Sequence, residues 1–140
     1  DKAIEVCGLP KRKCVTKKFR IHGYRKNPDL TDHMYVYGSD EPKILRLIEQ
    51  EPALGEKLSQ KFGYTLAEVV WAVREEMAIT LEDVLARRVR MLFVDAREAM
   101  AAAPKAAAVM ARELGRDQAW IDEQVKSFTD LAKNYIFEQK

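Results

Sequence analysis

The 140-residue sequence predicts a mainly α-helical fold, with five to six helices in a bundle or orthogonal array behind an extended N-terminal arm. Three observations carry that expectation. After Gly38 the apolar residues recur every three or four positions, which places them on single helical faces. Capping residues stand where these stripes begin, and glycine or proline where they stop. Before Gly38 no such period exists, and Gly8, Pro10, Gly23 and Pro28 interrupt the chain.

Residues 1–38 therefore read as an arm or linker, with short β-prone runs at Val15-Thr16 and Lys18-Phe19-Arg20-Ile21. Residues 39–140 read as the helical domain. Its first helix is capped by Ser39 or Asp40, carries Glu41 and Pro42 in the first turn, and shows Ile44, Leu45, Leu47 and Ile48 on its apolar face. Pro52 ends it, and Ala53 to Lys61 predicts another short helical turn before Gly63. Thr65-Leu66-Ala67-Glu68 is a capping box, followed by Leu66, Val69, Val70, Val73 and Met77 on one face.

Thr80-Leu81-Glu82-Asp83 is a second start of the same kind. Leu81, Val84, Leu85, Leu92, Ala96 and Ala99 predict a helix running to about Ala102, which Pro104 breaks. A further helix spans Lys105 to Leu114 and stops at Gly115. Asp117 caps the last helix, in which Ile121, Val125, Phe128, Ala132 and Tyr135 keep the three-to-four spacing.

Charge divides the chain. Its formal net charge is only +2, yet Lys11 to Lys26 holds eight Lys/Arg and no Asp or Glu. From Asn27 onward, 15 basic residues face 20 acidic ones, a net of −5. Two cysteines in a chain with a full-sized core fit a reduced setting, and no apolar run approaches the 18 residues of a membrane-spanning helix. No secretory signal pattern is present, and the leading Asp1 reads as the start of an excised piece.

Candidate chemistry is sparse. Cys7, Cys14, His22 and His33 are separated by seven, eight and eleven positions, without the close ligand pairs of a zinc site, so no metal is expected. Lys13 and Lys17 are placed to lower the pKa of the Cys14 thiol, but no base accompanies it as a nucleophile's partner. Neither glycine-rich phosphate-binding pattern occurs, so no cofactor site is expected within these residues. Glu75-Glu76 and Glu82-Asp83 read as ion-paired or solvated faces. The helix bearing Arg87, Arg88 and Arg90 has the outline of a DNA reader, but Glu82 and Asp83 occupy its leading end, and no nucleic-acid partner is expected. Arg88 falls on the apolar stripe between Leu85 and Leu92, where a guanidinium must find a carboxylate; Glu75 or Glu76 across the turn is its expected partner.

The segment Glu75-Glu76-Met77-Ala78-Ile79-Thr80-Leu81-Glu82-Asp83-Val84-Leu85-Ala86-Arg87-Arg88-Val89-Arg90 resembles the C-terminal domain of FAD-dependent glycerol-3-phosphate dehydrogenases and glycerophosphate oxidases. Val15-Thr16-Lys17, Ile21-His22-Gly23, Tyr37-Gly38 and Leu92-Phe93-Val94-Asp95-Ala96 extend the likeness over nearly the whole chain. The resemblance implies a parent that oxidises glycerol 3-phosphate to dihydroxyacetone phosphate with FAD and passes electrons to quinone, as a cytoplasmic protein peripheral to the inner or cytoplasmic membrane. It implies that FAD and the catalytic groups lie in a preceding flavin-binding domain, reached through residues 1–38, and that this chain alone is inactive. Expected contacts to that domain or the membrane surface are Lys17, Lys18, Arg20, Arg87 and Arg88, and a homodimer is a further partner to consider. The alternative function is a free-standing helical interaction module, one version of which binds nucleic acid.

Overall fold

A computed structural model describes residues 2–137. Six α-helices are present among them: α1 (Lys2–Val6), α2 (Glu41–Gln50), α3 (Leu66–Glu75), α4 (Met91–Val94), α5 (Ala96–Leu114) and α6 (Gln118–Lys133). Two 3-10 segments, His33–Asp40 and Pro52–Gly55, and a π-helical turn, Asp83–Arg88, complete the helical content. The chain is mainly helical, as its apolar periods predict.

α3 is the centre of the core. Every residue from Leu66 to Ala72 is buried, so this short helix is covered on all sides. α5 packs on α3 and on α6. Its contact face is alanine, with Ala99, Ala102, Ala103, Ala106 and Ala107 all at 1% exposure or less, and such small side chains let helix backbones approach closely. Met110 and Leu92 belong to the same buried cluster.

The helix ends follow their local signals. Glu68 reaches back to the Thr65 N–H at 2.7 Å to close the capping box of α3. Gly115 takes the left-handed conformation, φ 63°, at the end of α5, and Asp117 accepts from Trp120 N–H at 3.0 Å to start α6. Asp40 precedes α2 without capping it by side chain.

Five expectations are corrected. The arm contributes no strand among the described residues: residues 2–6 are helical and 33–40 form a 3-10 segment. Beyond Pro52–Gly55, residues up to Lys61 are not helical; Lys57 instead bridges Thr65 in an isolated antiparallel pair. Met77 is off the α3 face, 84% exposed with φ 56°. The predicted helix from Leu81 to Ala102 is broken at Arg90, which is left-handed, and again at Asp95. α5 then runs uninterrupted through Pro104. Pro104 is exposed, so its ring displaces no core atom, and the Asp95 carboxylate, accepting from Arg97 and Glu98 N–H, defines the helix start upstream.

Candidate functional site

Residues 22–25 of the arm cross residues 38–41 at the start of α2. Gly23 O accepts from Ser39 N–H at 3.2 Å, and Gly38 at φ 54° brings its Cα against Gly23. His22 Nε2 lies 2.6 Å from Asp40 Oδ2, and Arg25 pairs with Glu41 at the start of α2. Beside the crossing opens a cleft of about 390 Å³, lined chiefly by His22, Tyr37, Asp40, Lys43, Trp71, Glu75 and Glu76. Asp40 is 8% exposed. Its Oδ1 has no aligned hydrogen-bond donor, although Lys43 Nζ stands 2.8 Å away and attracts it as an ion. Lys43 first, then His22, overcome the effect of burial and hold the Asp40 carboxyl below its ordinary range.

Behind the cleft lies Glu68, 1% exposed. A buried carboxylate requires donors on both oxygens, and it has them. Tyr37 donates its hydroxyl to Oε1 at 3.1 Å, while Oε2 receives Thr65 N–H at 2.7 Å and faces His33 Nε2 at 3.1 Å. Burial, then the charges of Glu68 and Glu76, push the Tyr37 phenol far up, so it remains a donor. Glu76 is raised by burial and by the charges of Asp40 and Glu68, against the opposing pull of Arg88 and Trp71.

Arg88 Nε is 3.2 Å from Glu76 Oε2, and its Nη2 donates to the Glu76 backbone carbonyl. One guanidinium thus fixes both ends of Glu76 across the turn that leaves α3. Glu75, the other carboxylate considered for Arg88, is exposed and lines the cleft instead. Arg87 lies on the opposite, solvent side, bonded to Glu82 at 2.7 Å and Asp83 at 2.9 Å.

Comparison with known proteins decides what kind of domain this is. The model of the family described as the C-terminal domain of alpha-glycerophosphate oxidase matches residues 14–121. The chain belongs to this family. Among similar curated proteins, a probable mitochondrial glycerol-3-phosphate dehydrogenase of Dictyostelium discoideum is 28% identical over 96% of the chain and 20% of its own length. Glycerol-3-phosphate dehydrogenase 2 of Mycobacterium tuberculosis is 33% identical over 85% of the chain and 20% of its length. The human mitochondrial glycerol-3-phosphate dehydrogenase is 34% identical over 84% and 16%. The chain spans about a fifth of the length of the relatives it matches. No solved structure matches it.

The basic arm, residues 11–26, lies outside the core. No described residue before His33 is buried, and Val15, Phe19 and Ile21 are 69%, 68% and 72% exposed. Lys17, Lys18 and Arg20 have no carboxylate partner among the described residues; Arg20 sits 5.3 Å from the Tyr24 ring. The Cys14 thiol is held below its ordinary range, but by the Thr16 hydroxyl and the backbone N–H groups of Thr16 and Lys17 rather than by lysine charge. Among the described residues no three His, Cys, Asp or Glu side chains gather as a metal group. The helix expected to carry Arg87, Arg88 and Arg90 is interrupted at Arg90, and Arg87 and Arg88 are paired with Glu82, Asp83 and Glu76.

Sequence reasoning did not find Glu68 as a junction, since its place in Thr65-x-x-Glu68 accounts for it fully as a cap. His33 and Tyr37 reach it from 35 and 31 residues away. Asp95-Ala96-Arg97-Glu98 has the form of a capping box and carried a usable sign of the α5 start.

Proposed function

We propose that this chain is the helical C-terminal domain of a flavin-dependent glycerol-3-phosphate dehydrogenase, an oxidoreductase whose complete polypeptide converts glycerol 3-phosphate to dihydroxyacetone phosphate and passes electrons to a membrane quinone. The observation that carries this reading is the family match over residues 14–121, joined to relatives named as glycerol-3-phosphate dehydrogenases that are about five times longer. FAD is assigned to the rest of the polypeptide. The cleft beside the arm presents the carboxylates of Asp40, Glu75 and Glu76, which repel a pyrophosphate, and the six glycines form no phosphate-binding turn.

The arm supports a docking role. Exposed Val15, Phe19 and Ile21 alternate with Lys17, Lys18 and Arg20, a surface suited to a partner that buries apolar groups and neutralises cations. In this reading the partner is the flavin-binding portion of the same polypeptide, and the whole enzyme is cytoplasmic and peripheral to the membrane. No described helix is long and apolar enough to cross a bilayer.

The test is the visible spectrum of the complete native polypeptide, followed by dye reduction and oxygen uptake on adding glycerol 3-phosphate. Flavin bands bleached by substrate, with dye reduced and little oxygen consumed, are expected. Residues 1–140 alone should give neither band nor activity. A complete polypeptide without flavin absorbance would overturn the reading, and rapid oxygen uptake would replace quinone by oxygen as acceptor.

A further inference from the structure

His33 opens the 3-10 segment His33–Asp40, and each of its ring nitrogens faces a carboxylate. Nε2 is 3.1 Å from Glu68 Oε2, and Nδ1 is 3.3 Å from Asp32 Oδ1. A neutral imidazole has one N–H and one lone pair, so in that state one nitrogen would turn its lone pair toward a carboxylate oxygen. Nε2 is hydrogen-bonded to Glu68, whereas Nδ1 and Asp32 stand at ion-pair distance without an aligned hydrogen bond, so only the imidazolium is attracted to both carboxylates.

Both carboxylates are helix caps. Asp32 Oδ1 accepts Met34 N–H at 2.9 Å to start the 3-10 segment, and Glu68 Oε2 accepts Thr65 N–H at 2.7 Å to start α3. The ring is confined as well. Tyr64 meets it edge-on with centroids 5.3 Å apart, and a Cβ on Gly63 would lie 2.6 Å from Nδ1.

We propose that His33 is a protonation-dependent clasp: its imidazolium ties the cap of the 3-10 segment to the cap of α3, and its deprotonation loosens that segment from the helical core. This goes beyond the dehydrogenase reading and does not depend on it. The segment supplies Val36, Tyr37 and Asp40 to the cleft and, through Ser39, holds Gly23 of the arm, so both cleft and arm attachment respond to the clasp.

The surrounding charges act in the required direction. The Glu68 hydrogen bond raises the affinity of His33 for its proton, burial opposes it, the charges of Glu68 and Asp32 add to it, and Lys57 opposes it. Tyr37 shares Glu68 but stays protonated, as does Tyr64, whose phenol burial and Glu68 also push up. With the folded value raised, the clasp's contribution is complete below the unfolded histidine value of about 6.5 and is lost as pH rises through the folded value.

The decisive experiment is an NMR titration of ring-labelled histidine in the 140-residue chain, combined with amide hydrogen exchange. The two histidines are told apart with His22→Gln. The His33 midpoint is expected above about 6.5. Protection of Met34, Tyr35 and Ser39 amides, corrected for intrinsic exchange, is expected to fall at least ~3-fold across that midpoint, with no such step in His33→Gln. A midpoint at or below the ordinary histidine value, pH-independent protection, or the same step persisting in His33→Gln overturns the proposal. If His33→Gln does not fold, the titration and exchange of the parent chain decide alone.

Discussion

Gly23 and Gly38 meet backbone to backbone: Ser39 N–H donates to Gly23 O at 3.2 Å, and a Cβ on Gly38 would lie 1.8 Å from that same oxygen, far inside contact distance. Both residues have positive φ, 83° and 54°, but only Gly38 is also crowded. Gly23→Ala is therefore expected to cost ~1 kcal/mol from backbone strain alone. Gly38→Ala adds a steric clash and should cost ~3 kcal/mol or more. Urea unfolding of the two variants checks the order; equal losses would mean that the crossing does not hold the arm.

Arg88→Met leaves Glu76 half-buried without its cation. A loss of ~1–3 kcal/mol is expected, seen as a fall of several degrees in Tm. Glu75→Gln should change stability by less than ~0.5 kcal/mol, because Glu75 is exposed and outside the pair. An unchanged Tm for Arg88→Met would remove the bridge from the account of how α3 is joined to the π-helical turn.

Asp83 sets part of the acid limit of stability. Burial pushes its carboxyl up, but the Thr80 hydroxyl, the N–H groups of Thr80 and Ile79, and Arg87 outweigh burial and hold it below the ordinary value. A depressed folded value means stability that is present above the unfolded pKa of about 3.9 and is lost as pH falls through the folded value. Asp83→Asn should flatten the decline of Tm below about pH 4, and an unaltered acid profile would assign that decline to other carboxylates.

Pro104 lies inside α5 and is exposed. It cannot donate to the carbonyl of Met100, and its ring presses on the preceding turn. Pro104→Ala restores the bond without opening a cavity and is expected to stabilise the chain by ~1–2 kcal/mol, after allowing for the greater freedom of the unfolded state. A lower Tm would show that the proline shapes a bend that the packing of α5 on α3 requires.

Reversing Lys17, Lys18 and Arg20 to glutamate tests the arm in two settings. In the 140-residue chain the change in stability should stay within ~0.5 kcal/mol, since these side chains are exposed and make no ion pair among the described residues. In the complete polypeptide the same reversals should lower the unfolding temperature if the arm docks on the rest of the chain as proposed. No effect in either setting would take these residues out of interdomain contact.

Much of this architecture is written in short-range patterns. Thr65 and Glu68, Gly115, and Asp117 with Trp120 N–H are relationships within four residues, so the sequence displays both members together. The apolar stripes of α3, α5 and α6 are equally local, and they were enough to predict a helical domain. The run from Glu75 to Arg90 was enough to point to the family.

Errors arose where a local rule met a distant contact. Pro104 reads as a break because proline disfavours a helix interior, yet α5 packs on α3 and α6 and buries alanines both before and after it. Met77 continues the α3 period in sequence but lies beyond the helix end, at a turn held by Arg88 on Glu76.

What the sequence determined by itself was the helical class, most of the caps, the divided charge and the kinship with the glycerophosphate oxidase C-terminal domain. Tertiary structure alone decided that Glu76 rather than Glu75 meets Arg88, and that Glu68 joins His33 and Tyr37 to the cap of α3. The reason is physical: a cap or an apolar period is completed by neighbours along the chain, whereas a buried carboxylate takes whichever donors the packed helices bring within hydrogen-bonding distance.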